Sequence, residues 1–62
     1  MDGNTPLMFA SIFGQLEATR MLLLQDADVT LTNKNGETAM SLAKKGGYRD
    51  IVTLLRNNGA LF

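Results

Sequence analysis

The chain has 62 residues, no cysteine, no histidine and a formal net charge of zero. Its length allows one small domain, residues 1–62, which buries only about 60% of the surface of the unfolded chain and should be marginally stable alone. The composition excludes disulfides and ordinary zinc sites, and it argues against nucleic acid as a partner. No apolar run approaches the length of about 20 residues that spans a bilayer.

The first half of the chain predicts two helices separated by a glycine. Thr5 can cap a helix with its hydroxyl, and the fixed φ of Pro6 suits the first helical position. This helix is predicted from about Pro6 to Phe13, and Gly14 ends it in the left-handed conformation. A second helix is predicted from about Leu16 to Gln25, because its apolar residues recur every three or four positions.

The segment from Asp26 to Gly36 has no helical period. Val29 and Leu31 alternate with threonines, and the pair Asn35 and Gly36 is typical of a tight turn. The pattern therefore predicts a protruding, hairpin-like segment, which we call the finger.

The second half predicts another helix pair. Thr38 caps a helix that runs to about Lys45, and the glycines at 46–47 interrupt it. A last helix is predicted from about Arg49 to Asn57, and Gly59 ends it.

The two halves repeat each other. Gly3 corresponds to Gly36 and Thr5 to Thr38, an offset of 33 residues that also relates Gly14 to Gly47. We therefore divide the chain into repeat one, residues 2–34, and repeat two, residues 35–62. A period of this length predicts stacked supersecondary units and directs the functional question to binding surfaces.

A 33-residue helix–turn–helix unit with Gly-x-Thr-Pro-Leu near its start resembles the ankyrin repeat. The residues that carry the resemblance are GNTPLMFA at 3–10, GQLE at 14–17, MLL at 21–23 and ADV at 27–29, with GETAMSLA at 36–43, DIV at 50–52, LL at 54–55 and GA at 59–60. The resemblance implies an all-α ankyrin-type solenoid of two stacked helix–turn–helix repeats joined by a finger loop.

The chain departs from the ankyrin pattern at several positions. Met8 and Ser41 stand where the family has histidine, so the imidazole hydrogen bonds are missing. Asp26 replaces a glycine, where a side chain costs strain. Arg49 and the polar run 56–58 suit a terminal repeat, whose outer face meets water. We therefore expect a C-terminal fragment of a longer array, cut at its front.

The resemblance also implies a partner-binding surface at the finger tip and the end of the first helix of each repeat. The candidate residues carried over are Ile12, Phe13, Thr32, Lys34, Asn35, Glu37 and Lys45. The polar ones are also explained as solvated loop residues. The two adjacent apolar ones, expected at exposed positions, indicate either a partner site or contact with an upstream repeat. We expect the helix-end and finger residues to share one continuous concave surface.

Catalytic chemistry has little support. Ser11 and Ser41 lack a usual general base, and Glu17 and Asp50 are explained by first-turn helix stabilisation. We predict no enzyme activity, no catalytic residue, no metal and no cofactor. A helix-turn-helix DNA reader also fits the helix pattern, but the start of its reading helix offers little for bases or phosphates; the residues there are Glu17, Ala18, Thr19 and Met21.

We therefore predict a protein–protein interaction or scaffolding module, with an unidentified protein partner, no nucleic acid and no membrane. The alternative is a structural end-capping segment of a larger array without an external ligand. An intracellular setting, cytoplasmic or nuclear, is expected because no signal peptide or anchor is visible.

Self-association or upstream repeats are the further contacts that we expect. Residues 2–34 carry four acidic against two basic residues, and residues 35–62 the reverse, which favours a head-to-tail contact. Without a front neighbour, parts of Leu7, Phe9, Phe13 and the stripe Met21–Leu24 should be uncovered.

Overall fold

The computed structural model describes residues 3–61, so the predicted boundaries at residues 1, 2 and 62 lie outside the described residues. Within residues 3–61 the chain forms four α-helices and no strand. They are α1 (Pro6–Ile12), α2 (Leu16–Leu24), α3 (Ala39–Gly46) and α4 (Arg49–Asn57). The all-α prediction is confirmed, and the predicted helix ends differ by at most one residue.

Both first helices begin with a capping box. Thr5 Oγ1 accepts a hydrogen bond from the backbone N–H of Met8 at 3.2 Å, and Thr38 Oγ1 accepts one from Ser41 at 3.1 Å. In return, Met8 Sδ accepts from the Thr5 N–H at 3.4 Å and Ser41 Oγ from the Thr38 N–H at 2.8 Å. The residues that replace histidine therefore complete the cap of their own helix.

Left-handed backbone follows the first helix of each repeat and the end of α2. Gly14 has φ +67° and Gly47 has φ +76°, as predicted from their equal position after each capped helix. Asp26 has φ +63°, which confirms that this side chain stands in a conformation favouring glycine. The α2 end is therefore closed by a strained non-glycine residue.

The core lies between the two helix pairs. Helix α1 packs on α3 and on α2, while α4 packs on α3 and more lightly on α2. Ile51 and Leu55 are fully buried in this core, each contributing roughly 1.5–3 kcal/mol of transfer free energy. The buried cluster comprises Leu7, Met8, Ala39, Met40, Leu42, Ala43, Ile51, Leu55 and Ala60.

The finger joins the two helix pairs, as predicted, and it is a series of turns. Asp28 Oδ1 accepts from the N–H and the hydroxyl of Thr30 at 2.8 and 2.6 Å, which closes one turn. The N–H of Gly36 donates to the carbonyl of Asn33 at 3.0 Å, which closes the predicted turn at Asn35. Local side-chain bonds replace strand pairing because the described segment has no partner strand.

The front of repeat one exposes large apolar side chains. Phe9 is 49% exposed, Phe13 65%, Met21 60% and Leu24 78%, as predicted. Leu7 departs from the prediction, since it is only 2% exposed and belongs to the core cluster. Its side chain turns towards repeat two because Leu7 and Phe9 lie on different faces of α1.

Candidate functional site

A concave groove lies where the finger meets the ends of α1 and α3. Its volume is about 340 Å³. Four predicted site residues line it: Ile12 from α1, Asn35 from the finger with Glu37 directly after it, and Lys45 from α3. The complete lining is Asn4, Ile12, Asn33, Asn35, Glu37, Leu42, Lys45 and Gly46. We call this surface the finger groove.

The other three predicted residues lie outside this lining. Phe13, Thr32 and Lys34 are exposed side chains at the end of α1 and along the finger. Ile12 is half-buried and packs against the core, so the expectation that it would be exposed is wrong. The reason is that Ile12, one turn after Met8, shares the face of α1 that meets α3. Partner binding by these seven residues stays a prediction.

The side chain of Asn33 organises the finger, although it was not among the predicted site residues. Asn33 is only 8% exposed. Its Oδ1 accepts from the backbone N–H of Asn35 at 3.0 Å and of Glu37 at 2.9 Å. Its Nδ2 donates to Asn4 Oδ1 at 2.8 Å and to Glu37 Oε1 at 2.9 Å. An asparagine two residues before an Asn-Gly turn was the available signal, because such side chains bond the backbone ahead.

The two side chains that accept hydrogen bonds from the Asn33 amide hold equivalent positions in the two repeats. Asn4 and Glu37 are 33 residues apart, so each occupies the same position before the capping threonine. The amide of Asn33 therefore joins the start of repeat one to the start of repeat two. This fixes the finger relative to both first helices, and with it the width of the finger groove.

Glu37 and Lys45 form an ion pair across the finger groove. Lys45 Nζ lies 3.2 Å from Glu37 Oε2, with the lysine side chain 76% exposed and the glutamate 24% exposed. The hydrogen bond from Asn33 lowers the pKa of Glu37 below its ordinary value, and the bond from Lys45 lowers it further. The resemblance implied Lys45 as a partner-binding residue at the end of a helix, and the structure pairs it with this carboxylate.

The finger groove combines apolar and polar side chains. Ile12 and Leu42 supply apolar surface, while amide and charged groups surround it. Ser11, weighed above as a nucleophile, is fully buried, and its hydroxyl donates to the Leu7 carbonyl at 2.9 Å. In the part of the chain that the structure describes, no group of three or more His, Cys, Asp or Glu side chains could hold a metal.

Among residues 3–61, no helix has the length and apolar character needed to cross a bilayer.

Known proteins resemble this chain along most of its length. A family model described as ankyrin repeats in three copies matches residues 1–61, whereas we predicted two tandem repeats. The chain is 41% identical over 51 residues to an ankyrin repeat protein of Rickettsia felis, covering 82% of this chain and 81% of that protein. It is 39% identical over 54 residues to the human Notch-regulated ankyrin repeat-containing protein, covering 87% of this chain and 47% of that protein.

Two further matches come from much longer chains. Human transient receptor potential cation channel subfamily A member 1 is 38% identical over 64 residues, which is 98% of this chain and 6% of the channel. A chain in the solved structure of a predatory endopeptidase from Bdellovibrio bacteriovorus in complex with an immunity protein superposes with a TM-score of 0.94 at 35% identity. That match covers 97% of this chain and 31% of the other.

The family model, the sequence relatives and the superposition agree with the stacked helix pairs described above. Ankyrin repeats are generally protein–protein interaction modules. The chain belongs to the ankyrin-repeat family.

Proposed function

We propose that this chain is a non-catalytic protein-interaction or scaffolding module that binds a protein partner through the finger loop and the finger groove. The observation that carries the proposal is the joint lining of one concave groove by Ile12, Asn35, Glu37 and Lys45. These residues come from three separate segments of the chain, and they combine an apolar floor with polar groups that fix orientation.

The finger is held by hydrogen bonds that lie within the chain itself. Four hydrogen bonds of the Asn33 side chain hold the turn and both repeats in place. A binding loop that is already ordered loses less conformational entropy on association, which favours affinity. The exposed side chains of Lys34 and Asn35 stand at the tip of this ordered loop.

Site-specific photo-crosslinking tests the proposal. A photoreactive amino acid at Asn35 should capture a defined protein from cells that express the chain, and the same probe at the exposed Ala18 of α2 serves as the control. The captured protein, purified, should bind the chain in calorimetry. The double substitution Lys34→Ala and Lys45→Ala should weaken this binding, while the melting temperature stays within a few degrees of that of the parent chain.

Equal capture from both probe positions, or calorimetry unaffected by the two substitutions, would rule out the finger groove as the binding site. Glu37→Ala is unsuitable for this purpose, because Glu37 Oε1 accepts the hydrogen bond of Asn33 and its loss would loosen the finger itself.

A structural end-capping role is the second candidate. The observation that favours it is the cationic character of the outer side of repeat two, where Arg49 and Arg56 are exposed. An end-cap without an external ligand would stabilise adjoining repeats. Lys34→Ala with Lys45→Ala would leave that stabilisation unchanged.

A further inference from the structure

A second groove lies between the end of α3 and the outer side of α4. Its volume is about 400 Å³, and it shares no lining residue with the finger groove. The lining residues are Lys44, Gly47, Arg49, Val52, Thr53 and Arg56. We call it the basic groove. Within residues 3–61, none of its three cations belongs to an ion pair.

The repeat offset shows what kind of surface the basic groove is. Each lining residue lies 33 positions after a residue of repeat one; the equivalents are Ser11, Gly14, Leu16, Thr19, Arg20 and Leu23. Repeat two covers most of these: Ser11 and Thr19 are fully buried, and the two leucines pack against the core. The basic groove is therefore the surface on which one repeat stacks upon the next.

Two glycines mark the difference between the covered and the open copy of this surface. A Cβ built on Gly14 would lie 2.5 Å from the ring of Tyr48, which packs there from repeat two. A Cβ built on Gly47, one repeat later, would meet no heavy atom within 4 Å. The stacking surface of repeat two is thus unoccupied by any described part of this chain.

Three residues of this surface are cationic in repeat two but uncharged in repeat one. Lys44 stands where repeat one has Ser11, Arg49 where it has Leu16, and Arg56 where it has Leu23. Another apolar repeat placed here would remove three cations from water without a counter-charge, which is strongly unfavourable. An occupant must therefore bring carboxylates to the rim, while half-buried Val52 offers it an apolar contact.

We infer that the basic groove binds an acidic segment of a partner protein, in which Asp or Glu residues flank an apolar side chain. Three cations around a pocket of this volume suit a few carboxylates. Nucleic acid is disfavoured because the chain as a whole is neutral and offers no continuing basic track. A second copy, whose residues 2–34 carry a net negative charge but whose front also exposes the apolar Phe9, is the competing occupant, and the experiments below separate the two.

Titration of the isotope-labelled chain with a blocked peptide, in which glutamate is interspersed with leucine, tests this inference. Amide shifts should concentrate at Lys44, Gly47, Val52 and Arg56. A matched peptide with glutamine at every glutamate should bind at least several-fold more weakly. Raising the salt concentration should weaken the glutamate peptide further, because the rim charges are exposed and screened.

Charge-removing variants give a second, independent measurement. Lys44→Gln and Arg56→Gln should each weaken the glutamate peptide roughly two- to fivefold, the range for exposed ion pairs. Arg20→Gln is the matched control, since it removes one cation from α2, outside the basic groove, and should leave the affinity unchanged. All these side chains are exposed, so the melting temperature of each variant should stay close to that of the parent chain.

Several results would overturn the inference. They are equal binding of the glutamine peptide, an equal loss with Arg20→Gln, or amide shifts centred on the finger groove. If a single-stranded DNA oligonucleotide bound more tightly than the glutamate peptide, nucleic acid would be the ligand of the basic groove. Self-association that Lys44→Gln abolishes would identify a second copy as the occupant.

Discussion

The ring of Tyr48 lies against Gly14, so close that a Cβ at that glycine would stand 2.5 Å from the ring. Gly14 is therefore constrained twice, by its left-handed φ of +67° and by a side chain from the other repeat. Gly47 shares the left-handed backbone, with φ +76°, but has open space beside it. Substituting each of these two glycines by alanine therefore separates the cost of backbone strain, which both share, from the cost of disturbed packing between the repeats, which only Gly14 has.

Gly47→Ala should lower the free energy of unfolding by about 1–2 kcal/mol, the strain of a left-handed alanine. Gly14→Ala should lower it by about 1–3 kcal/mol more, because the new methyl group displaces the Tyr48 ring. Urea denaturation of both variants measures the difference. Equal losses at the two positions would show that the ring moves aside without cost.

Asn33→Ala should destabilise the chain by about 2–3 kcal/mol, because it removes a nearly buried side chain and leaves the N–H of Glu37 without its Oδ1 partner. Asn35→Ala is the matched control, since the side chain of Asn35 is exposed, and it should change stability by less than about 0.5 kcal/mol. Denaturation of both proteins tests this. A loss at Asn33 no larger than at Asn35 would contradict the role assigned to its amide.

The stability of the chain should fall on acidification through Glu37. Hydrogen bonds from Asn33 and then Lys45 hold the pKa of Glu37 below its ordinary value in the folded chain. Its contribution is therefore fully present above the unfolded glutamate pKa of about 4.3 and is lost as the pH falls through the lower folded pKa. Glu37→Gln should flatten this part of the stability–pH curve.

Asp28 contributes in the same direction, because the hydroxyl of Thr30 and then its N–H lower the pKa of this carboxylate. Asp28→Asn should therefore flatten the curve separately, and the double variant more than either one. Chemical denaturation at a series of acidic pH values distinguishes the cases. A Glu37→Gln variant with the slope of the parent chain would show that its carboxylate is not stabilised by folding.

The isolated chain should self-associate, and at low protein concentration, where it is monomeric, it should be partly unfolded. Phe9, Phe13, Met21 and Leu24 expose large apolar surface, whereas Leu42, the repeat-two equivalent of Phe9, is only 7% exposed. Sedimentation equilibrium and melting at several concentrations should show a concentration-dependent melting temperature. Phe9→Gln with Met21→Gln should reduce association, while Leu61→Gln, which alters an 81% exposed leucine of repeat two, should not.

A concentration-independent monomer that melts cooperatively above about 65 °C, the upper end for ordinary mesophilic domains, would contradict this prediction.

Local sequence determined where the first helix of each repeat begins and ends. Thr5 and Thr38 cap them, Gly14 and Gly47 turn the chain after them, and each of these signals acts within about four residues, the reach of a backbone hydrogen bond in a helix. The 33-residue offset added the stacking of two similar units, because each helix pair needs a neighbour to bury its apolar face.

Tertiary structure decided which side chains meet across the repeats. Ile12 turned out half-buried, Lys45 paired with Glu37, and Asn33 became the buried junction between the finger and both repeats. Each outcome includes a contact between residues that are eight or more positions apart, such as that of Asn33 with Asn4. Burial and charge pairing are properties of such distant neighbours, so periodicity and local propensity could place these residues on elements but could not assign their partners.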